Sequence, residues 1–432
     1  MVKKRKIFRG TIHRITWVGM FFLFSSVILS AQNNKPKGLT LNDCIALAIQ
    51  NNYLLQSDSI LSQSLQMVVK QEQAAYHPQI SGGAGSAGFF LSPYSFGQHY
   101  LQAVADWDLG RFWHKTADIQ QKQVEQHEAL TKQNKLEITG VITGLYLDVL
   151  QNQLETKILQ ARLDYLNQHI DILNMLWKAG TTRQLDILQT QSSLNKVKEE
   201  MMQKELFAKQ AKYALARLMG LDSPEQFSMV PLNNELPSLS DVNQAPETWL
   251  ENHPQTQVFQ KEYEKELLMK KEVKASFMPH IQAFTGYTFD GDPTADGNYM
   301  LMGLGVTLPL YSWKQKDYRL QEIDFTADAI QNQKKNAARD LSIQYGQLLQ
   351  QIQQYKVIFD FQQEKVATDR EAANVAELNY KAGLATNLDF LTAQQTLQET
   401  QLKINTVRNQ YLKSVVAFWL LTGQTERIKN IQ

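Results

Sequence analysis

The chain states one long unit twice. Lys178-Ala179-Gly180, followed by Leu185, Asp186, Leu188, Gln191 and Leu194, returns as Lys381-Ala382-Gly383, followed by Leu388, Asp389, Leu391, Gln394 and Leu397. The offset is 203 throughout, and it still holds for Gly220 and Gly423, which close the two helical runs. Upstream, Ala75 to Ile80 pairs with Ser276 to Ile281 at an offset of 201. Two copies of one unit predict an object with internal pseudo-symmetry rather than two unrelated domains.

Each copy reads as a helix, two strands, a very long helix, a turn and a long helix. Repeat 1 is expected over 32–220, with strands near 79–90 and 98–109 and helices near 115–178 and 182–219. Its first helical pattern runs from Leu41 to Ala75 and stops before Pro78, because proline disfavours the α conformation in the residue before it. Repeat 2 is expected over 247–423, with helices near 247–277, 315–381 and 386–421 and strands near 280–290 and 298–310. Pro224, Pro231, Pro237 and Pro246 mark the linker over 221–246, and 424–432 is left as a tail.

The long helices carry a seam. Positions alternately four and three apart from Ile138 to Trp177 are apolar except Asn152 and Thr156. Shifted by 203, the series runs from Leu341 to Tyr380 and is apolar except Gln362 and Asp369. Ile187 to Leu218 and Phe390 to Leu421 behave alike. A sustained 3.5-residue period means helices paired along a coiled-coil seam. About 60 residues at 1.5 Å each span about 90 Å, too long for a compact domain.

The strands alternate. Leu101, Ala103, Ala105, Trp107 and Leu109 share a face, as do Ile281, Ala283, Thr285, Tyr287 and Phe289. So do Met300, Met302, Leu304, Val306, Leu308 and Leu310. Such lengths with one apolar face suit tilted strands crossing a bilayer. Phe89, Phe90, Tyr94 and Tyr299 lie at one end, and Trp107, Trp113, Tyr311 and Trp313 at the other, as interfacial girdles do. The alternative is a small sheet packed on an ordinary core, since antiparallel sheets alternate in the same way. If the strands do span a membrane, four are too few to close a barrel. An open edge in lipid leaves backbone groups unsatisfied, so several chains must share one barrel, and the long helices would form a tube below it.

The N-terminus predicts export. Lys3, Lys4, Arg5, Lys6, Arg9 and Arg14 precede an apolar stretch from Ile15 to Leu29, and Ser30-Ala31 offers a cleavage point before Gln32. Residues 1–31 read as a secretory signal, with a retained anchor helix as the alternative. The 44 basic and 43 acidic residues nearly cancel, leaving no electrostatic footprint for nucleic acid. A single Cys44 permits no internal disulfide. The histidines lack metal-ligand spacing, and no nucleophile elbow or phosphate loop occurs. No enzyme, metal or cofactor chemistry is expected.

On its opening Leu39-Thr40-Leu41 to Asn51-Asn52, its Ala75-x-x-Pro78-x-Ile80 and its twice-used Ala-Gly-x5-Asp-x-Leu motif, the mature chain resembles the TolC-like outer-membrane efflux proteins of Gram-negative bacteria. The resemblance implies a mainly α protein with a small membrane β part. Its homotrimer would form a 12-stranded β-barrel continued by a long periplasmic α-helical barrel. It further implies docking to a periplasmic adaptor and an inner-membrane transporter, as the exit duct of a tripartite efflux pump or a type I secretion system. A soluble coiled-coil scaffold is the other reading.

Gly180 and Gly383 fall where antiparallel helices reverse and read as left-handed C′ glycines. By resemblance the same turns form an adaptor-gripping tip with contact residues Thr181, Thr182, Leu384 and Ala385. Asp186 and Asp389 fall in first helical turns, where a carboxylate answers the helix dipole, and Thr386-x-x-Asp389 reads as a capping box. Their sharper role is a ring of carboxylates at a tunnel entrance. Thr392 stands where the family often carries a second acid, so a double acidic ring is not expected.

Overall fold

The computed structural model describes residues 37–91, 94–232, 236–239, 245–290 and 298–431, with the side chains of 37, 87–100, 290 and 430 excepted. The segment expected to be a signal, 1–31, lies outside them, as do the aromatic side chains of Phe89, Phe90 and Tyr94.

Two helical hairpins dominate. In the first, α3 (Thr116–Lys178) runs to a turn and α4 (Gln184–Leu218) returns along it. In the second, α7 (Gln315–Lys381) and α8 (Asn387–Leu421) do the same. The 3.5-residue seam explains the pairing. Every seam position of α3 except Trp177, and every one of α7, is buried or half-buried. At 63 and 67 residues, these helices are about 95–100 Å long.

The return helices cover only the lower part of their partners. Above them, α2 (Tyr53–Ala74) continues along α3, and α6 (Pro254–Ala275) along α7. The first junction is specific: Asn51, the last residue of α1 (Leu41–Asn51), donates its amide to the Met219 carbonyl over 3.0 Å. There Gly220 takes a φ of +68°, and a Cβ on it would stand 2.9 Å from that of Asn51.

Two expected helices are each broken in two. The pattern from Leu41 to Ala75 splits at Asn52, whose Oδ1 accepts from Leu54 N at 2.9 Å and starts α2 afresh. The run expected over 247–277 divides into α5 (Trp249–Asn252) and α6, because Pro254 occupies a first-turn position and the His253 imidazole caps Gln255 N at 3.3 Å. Proline fits only where its missing N–H is not required.

The linker and the tail are part of the core. A parallel bridge joins β1 (Lys37–Leu39) to β4 (Phe227–Met229). Tyr146, fully buried on α3, donates to the Val230 carbonyl at 2.6 Å and lies 3.2 Å from that of Leu39. Tyr411 donates to Pro237 O at 2.6 Å, and Ile428 and Ile431 of the terminal 3-10 turn pack against the same apolar cluster.

The four longer strands form one antiparallel sheet in the order β2 (Gln79–Leu91), β3 (Tyr94–Asp108), β5 (His280–Asp290), β6 (Tyr299–Thr307). Direct partners Ile80–Ala105, Trp107–Ala283 and Ala283–Leu304 put the expected apolar residues on one face. That face has nothing over it among the described residues: Ile80 is 83% exposed, Leu304 73% and Met302 68%. On the opposite face Phe284 lies over Gly303, whose added Cβ would meet the ring at 2.6 Å. Leu308 and Leu310, expected on β6, fall beyond its end, and Leu109 opens a 3-10 turn. The chain enters α7 through Trp313 and Lys314 in left-handed conformation, φ 48° and 63°. No helix among the described residues is long and apolar enough to cross a membrane.

Candidate functional site at the hairpin tips

The two hairpins end in near-identical turns. Gly180 and Gly383 both have φ +73°. Thr181 N donates to Leu176 O at 2.9 Å, and Leu384 N to Asn379 O at 2.8 Å, which is the Schellman arrangement. Thr181 and Leu384 project into solvent, while Thr182 and Ala385 are half-buried.

Below the turns the repeats diverge. Asp389 is exposed and closes the capping box. Its carboxylate accepts from Thr386 Oγ1 at 2.6 Å and Thr386 N at 3.0 Å, bonds that hold its pKa below the usual carboxylate value. Asp186 is buried, only 6% exposed, and pairs with Arg183 at 3.2 Å while accepting from Thr182 Oγ1 at 3.1 Å. One carboxylate of the expected ring therefore faces water, and the other is consumed by partners in its own turn. Thr392 turns its hydroxyl back to Leu388 O at 2.8 Å.

A set of residues absent from the expectation joins the hairpins to each other. Along α3, Asp148, Glu155, Arg162 and His169 recur every seven residues and meet α8 on a polar seam beside the apolar one. Lys413 pairs with Asp148 at 2.6 Å, and Asn409 donates to Asp148 and to Gln151. Glu155, fully buried, is held by Lys204 of α4 at 2.7 Å and by Thr406 of α8 at 3.4 Å. Arg162 donates to Gln394 at 3.3 Å, and burial brings its pKa down to about 10.

The rung nearest the turns is enclosed as well. His169 is 7% exposed, with Tyr380 and Phe390 against its ring at centroid distances of 5.5 and 5.0 Å. Its Nε2 lies 2.9 Å from Asn387 Oδ1, so the imidazole donates. The Asn387 amide donates onward to Asp186 O at 3.1 Å and Thr190 Oγ1 at 3.3 Å. One chain of hydrogen bonds thus runs from α3 through α8 to α4. Burial holds the His169 pKa below its ordinary value, opposed by the Asn387 bond. The seven-residue recurrence was the sequence signal for this seam.

At the other end of the molecule, Trp107 donates to Tyr76 O at 2.9 Å and meets the Phe112 ring edge-on. Tyr311 and Trp313 stand 4.7 Å apart, and both are exposed. With Trp113, these aromatics gather where the sheet joins the helices. Nothing at either end brings metal-ligating side chains together among the described residues.

Solved structures similar to this chain include outer membrane channels. The chain is similar to the outer membrane protein VceC of Vibrio cholerae, with a TM-score of 0.78 and 16% identity over 89% of this chain and 96% of that one. It is similar to the CmeC outer membrane channel of Campylobacter jejuni, at 0.79 and 14% over 90% and 88%. The open state of the Neisseria gonorrhoeae MtrE outer membrane channel matches at 0.76 and 16%, over 89% and 88%. At such identities the likeness shows the fold. No curated protein matches the chain by sequence. The sequence profile of the family described as outer membrane efflux protein matches residues 44–221 and 245–424, the greater part of both repeats. The chain belongs to the outer membrane efflux protein family.

Proposed function

We propose that three copies of this outer-membrane efflux protein pool their strands into one 12-stranded barrel, which the helical hairpins continue into the periplasm as a tube. One observation carries the reading: a four-stranded sheet with a bare apolar face and edge strands β2 and β6 that have no second partner among the described residues. In lipid each unpaired backbone group costs several kcal/mol, and only closure with further strands removes the edges. A soluble scaffold would have covered that face.

Solutes would pass from the tip to the exterior without chemistry along the way. Transport energy would come from an inner-membrane transporter acting through a periplasmic adaptor. The turns at Gly180, Thr181, Thr182, Gly383, Leu384 and Ala385 are the adaptor's grip, and Asp389 is the charge at the entrance. Trp107, Trp113, Tyr311 and Trp313 would sit at the periplasmic membrane interface. The direct test is mass: protein extracted gently in detergent is expected to weigh as three chains and to conduct ions in planar bilayers. Strictly monomeric material would overturn the reading.

A further inference from the structure

We propose that the turn joining the sheet to α7 in repeat 2 docks an anionic phospholipid headgroup, with Lys314 and Lys316 meeting the phosphate and Trp313 lying beside the glycerol and upper chains. This site rests on the reading of the Trp313 level as the periplasmic membrane interface, and it names the ligand there.

The duplication supplies an internal control. At the offset of 201 that relates Pro78 to Pro279, Arg111-Phe112-Trp113-His114 corresponds to Ser312-Trp313-Lys314-Gln315. Both segments are turns closed by a bond from the fourth residue back to the first. His114 N donates to Arg111 O at 3.0 Å, and Gln315 N to Ser312 O at 2.8 Å. Their hands are opposite. The first belongs to a 3-10 turn over Leu109–Trp113, whereas the second has φ 48° at Trp313 and 63° at Lys314. Two consecutive positive φ values make the mirror-image turn that Gly, Asn and Asp favour. Among the described residues these are the non-glycine residues with positive φ. A backbone held where its own residues resist it points to a use for the side chains it displays.

What the two turns display differs. In repeat 1 the aromatic rings close on one another: Phe112 stacks on Tyr76 at 5.9 Å and meets Trp107 at 6.4 Å. In repeat 2 the counterpart of Tyr76 is Phe277, and the Lys316 Nζ lies 5.6 Å from the centre of that ring, where a cation is attracted. Trp313, the counterpart of Phe112, is 81% exposed. Its ring contact is with Tyr311, itself exposed.

Charge differs in the same way. The repeat 1 cations are answered: Arg111 lies 3.6 Å from both Glu72 and Asp108, and Lys115 lies 3.3 Å from Asp118. In repeat 2, Glu322 is taken up by Arg319 at 2.6 Å, and Asp317 sits in the first turn of α7. Among the described residues no carboxylate comes within ion-pair distance of Lys314 or Lys316. Leu308 and Leu310, both exposed, carry the apolar residues of β6 up to the turn. Two unanswered ammonium groups and an indole at the end of an apolar strand complement a molecule with a phosphate at one end and acyl chains at the other. A chainless anion would leave the apolar part unused.

The test is native mass spectrometry of the full-length protein, stripped of lipid in detergent and then given phosphatidylglycerol or phosphatidylcholine of matched chains. The wild type is expected to hold phosphatidylglycerol at least about five-fold more tightly. Lys314→Gln and Lys316→Gln should each weaken that binding about five-fold, as loss of one lysine near an anionic lipid does, and Lys316→Arg should keep it. Lys115→Gln, at the repeat 1 counterpart of Lys316, should leave it unchanged. Equal retention of the two lipids by the wild type, or an equal loss in Lys115→Gln, overturns the site. So does displacement of the lipid by inorganic phosphate at the same concentration, which would mark a site for the anion alone. The same spectra weigh the protein. A single chain that still prefers phosphatidylglycerol upholds the headgroup site and fails the shared barrel, and three chains without the preference do the reverse.

Discussion

Asn387 and Asp186, 201 positions apart, share a hydrogen bond from the side-chain amide of one to the main-chain carbonyl of the other, over 3.1 Å. Asn387 also precedes by two residues Asp389, the repeat partner of Asp186. Duplication thus delivers two equivalent aspartates to two equivalent turns, and packing between the hairpins then makes them unequal. Asp186 is enclosed with Arg183 and Thr182, and Asp389 remains in water.

That inequality predicts different phenotypes. Asp389→Asn is expected to lower the cation-over-anion permeability ratio by roughly two-fold, as removal of a charge at a constriction does. Asp186→Asn should leave the ratio alone and loosen the start of α4. Reversal potentials in planar bilayers under a salt gradient decide it, and an unchanged ratio in Asp389→Asn removes this residue from the entrance.

The bare sheet face predicts a second asymmetry. Leu304→Lys places a charge among the lipid-facing residues at a cost of about 2–4 kcal/mol near the bilayer midplane. Gly305→Ser, one residue on, faces the other way, and its Cβ meets nothing within 4 Å. Outer-membrane yield should fall sharply for the first and hold for the second. Equal yields would mean that the face is not in lipid.

Gly303 and Phe284 should behave as a pair. Gly303→Val drives a side chain into the Phe284 ring and is expected to cost about 1–3 kcal/mol by overpacking. Adding Phe284→Ala removes the obstacle, so the double variant should recover about 1 kcal/mol or more relative to additivity. Chemical unfolding of all four proteins gives the coupling, and strict additivity would show that the ring does not occupy that space.

Glycine substitutions separate conformation from crowding. Neither Gly180 nor Gly144 has any atom within 4 Å of a built Cβ. Gly180 has φ +73° and Gly144 is mid-helix in α3. Gly180→Ala should destabilise by about 1–2 kcal/mol, and Gly144→Ala should stabilise by roughly 0.5–1 kcal/mol. Thermal unfolding that moves both in one direction refutes the assignment of the turn.

Cys44 is expected to resist thiol reagents in the native protein near neutral pH, because burial, and after it the charge of Asp43, keep the thiolate from forming. Labelling should begin only as the protein unfolds. Prompt reaction in native buffer would place Cys44 at the surface.

The sequence was most informative where chemistry repeats. The four glycines of the duplicated motif, Gly180, Gly220, Gly383 and Gly423, are the glycines with positive φ among the described residues. The apolar seams were legible because burial selects residue type at every second contact. The polar seam was not, although Glu155, Arg162 and His169 keep the same period. Charged residues usually mark a solvated face, and only the placement of a second hairpin puts these inside. Breaks at Asn52 and Pro254 interrupt patterns whose hydrophobic period continues across them, so periodicity alone ran through. The left-handed Trp313 and Lys314 carry no local signal, since neither residue favours that conformation.

The Asn51–Met219 junction ties the two halves of the molecule together without a covalent link between those neighbours. A side-chain hydrogen bond joins the end of α1 to the end of α4, and Leu41, Cys44 and Ala48 share one apolar cluster with Leu215, Ala216 and Met219. On this flank α3 alone is continuous past the junction. In the proposed duct, a change of width at the turns would therefore reach the strands along α3 and through this packed joint.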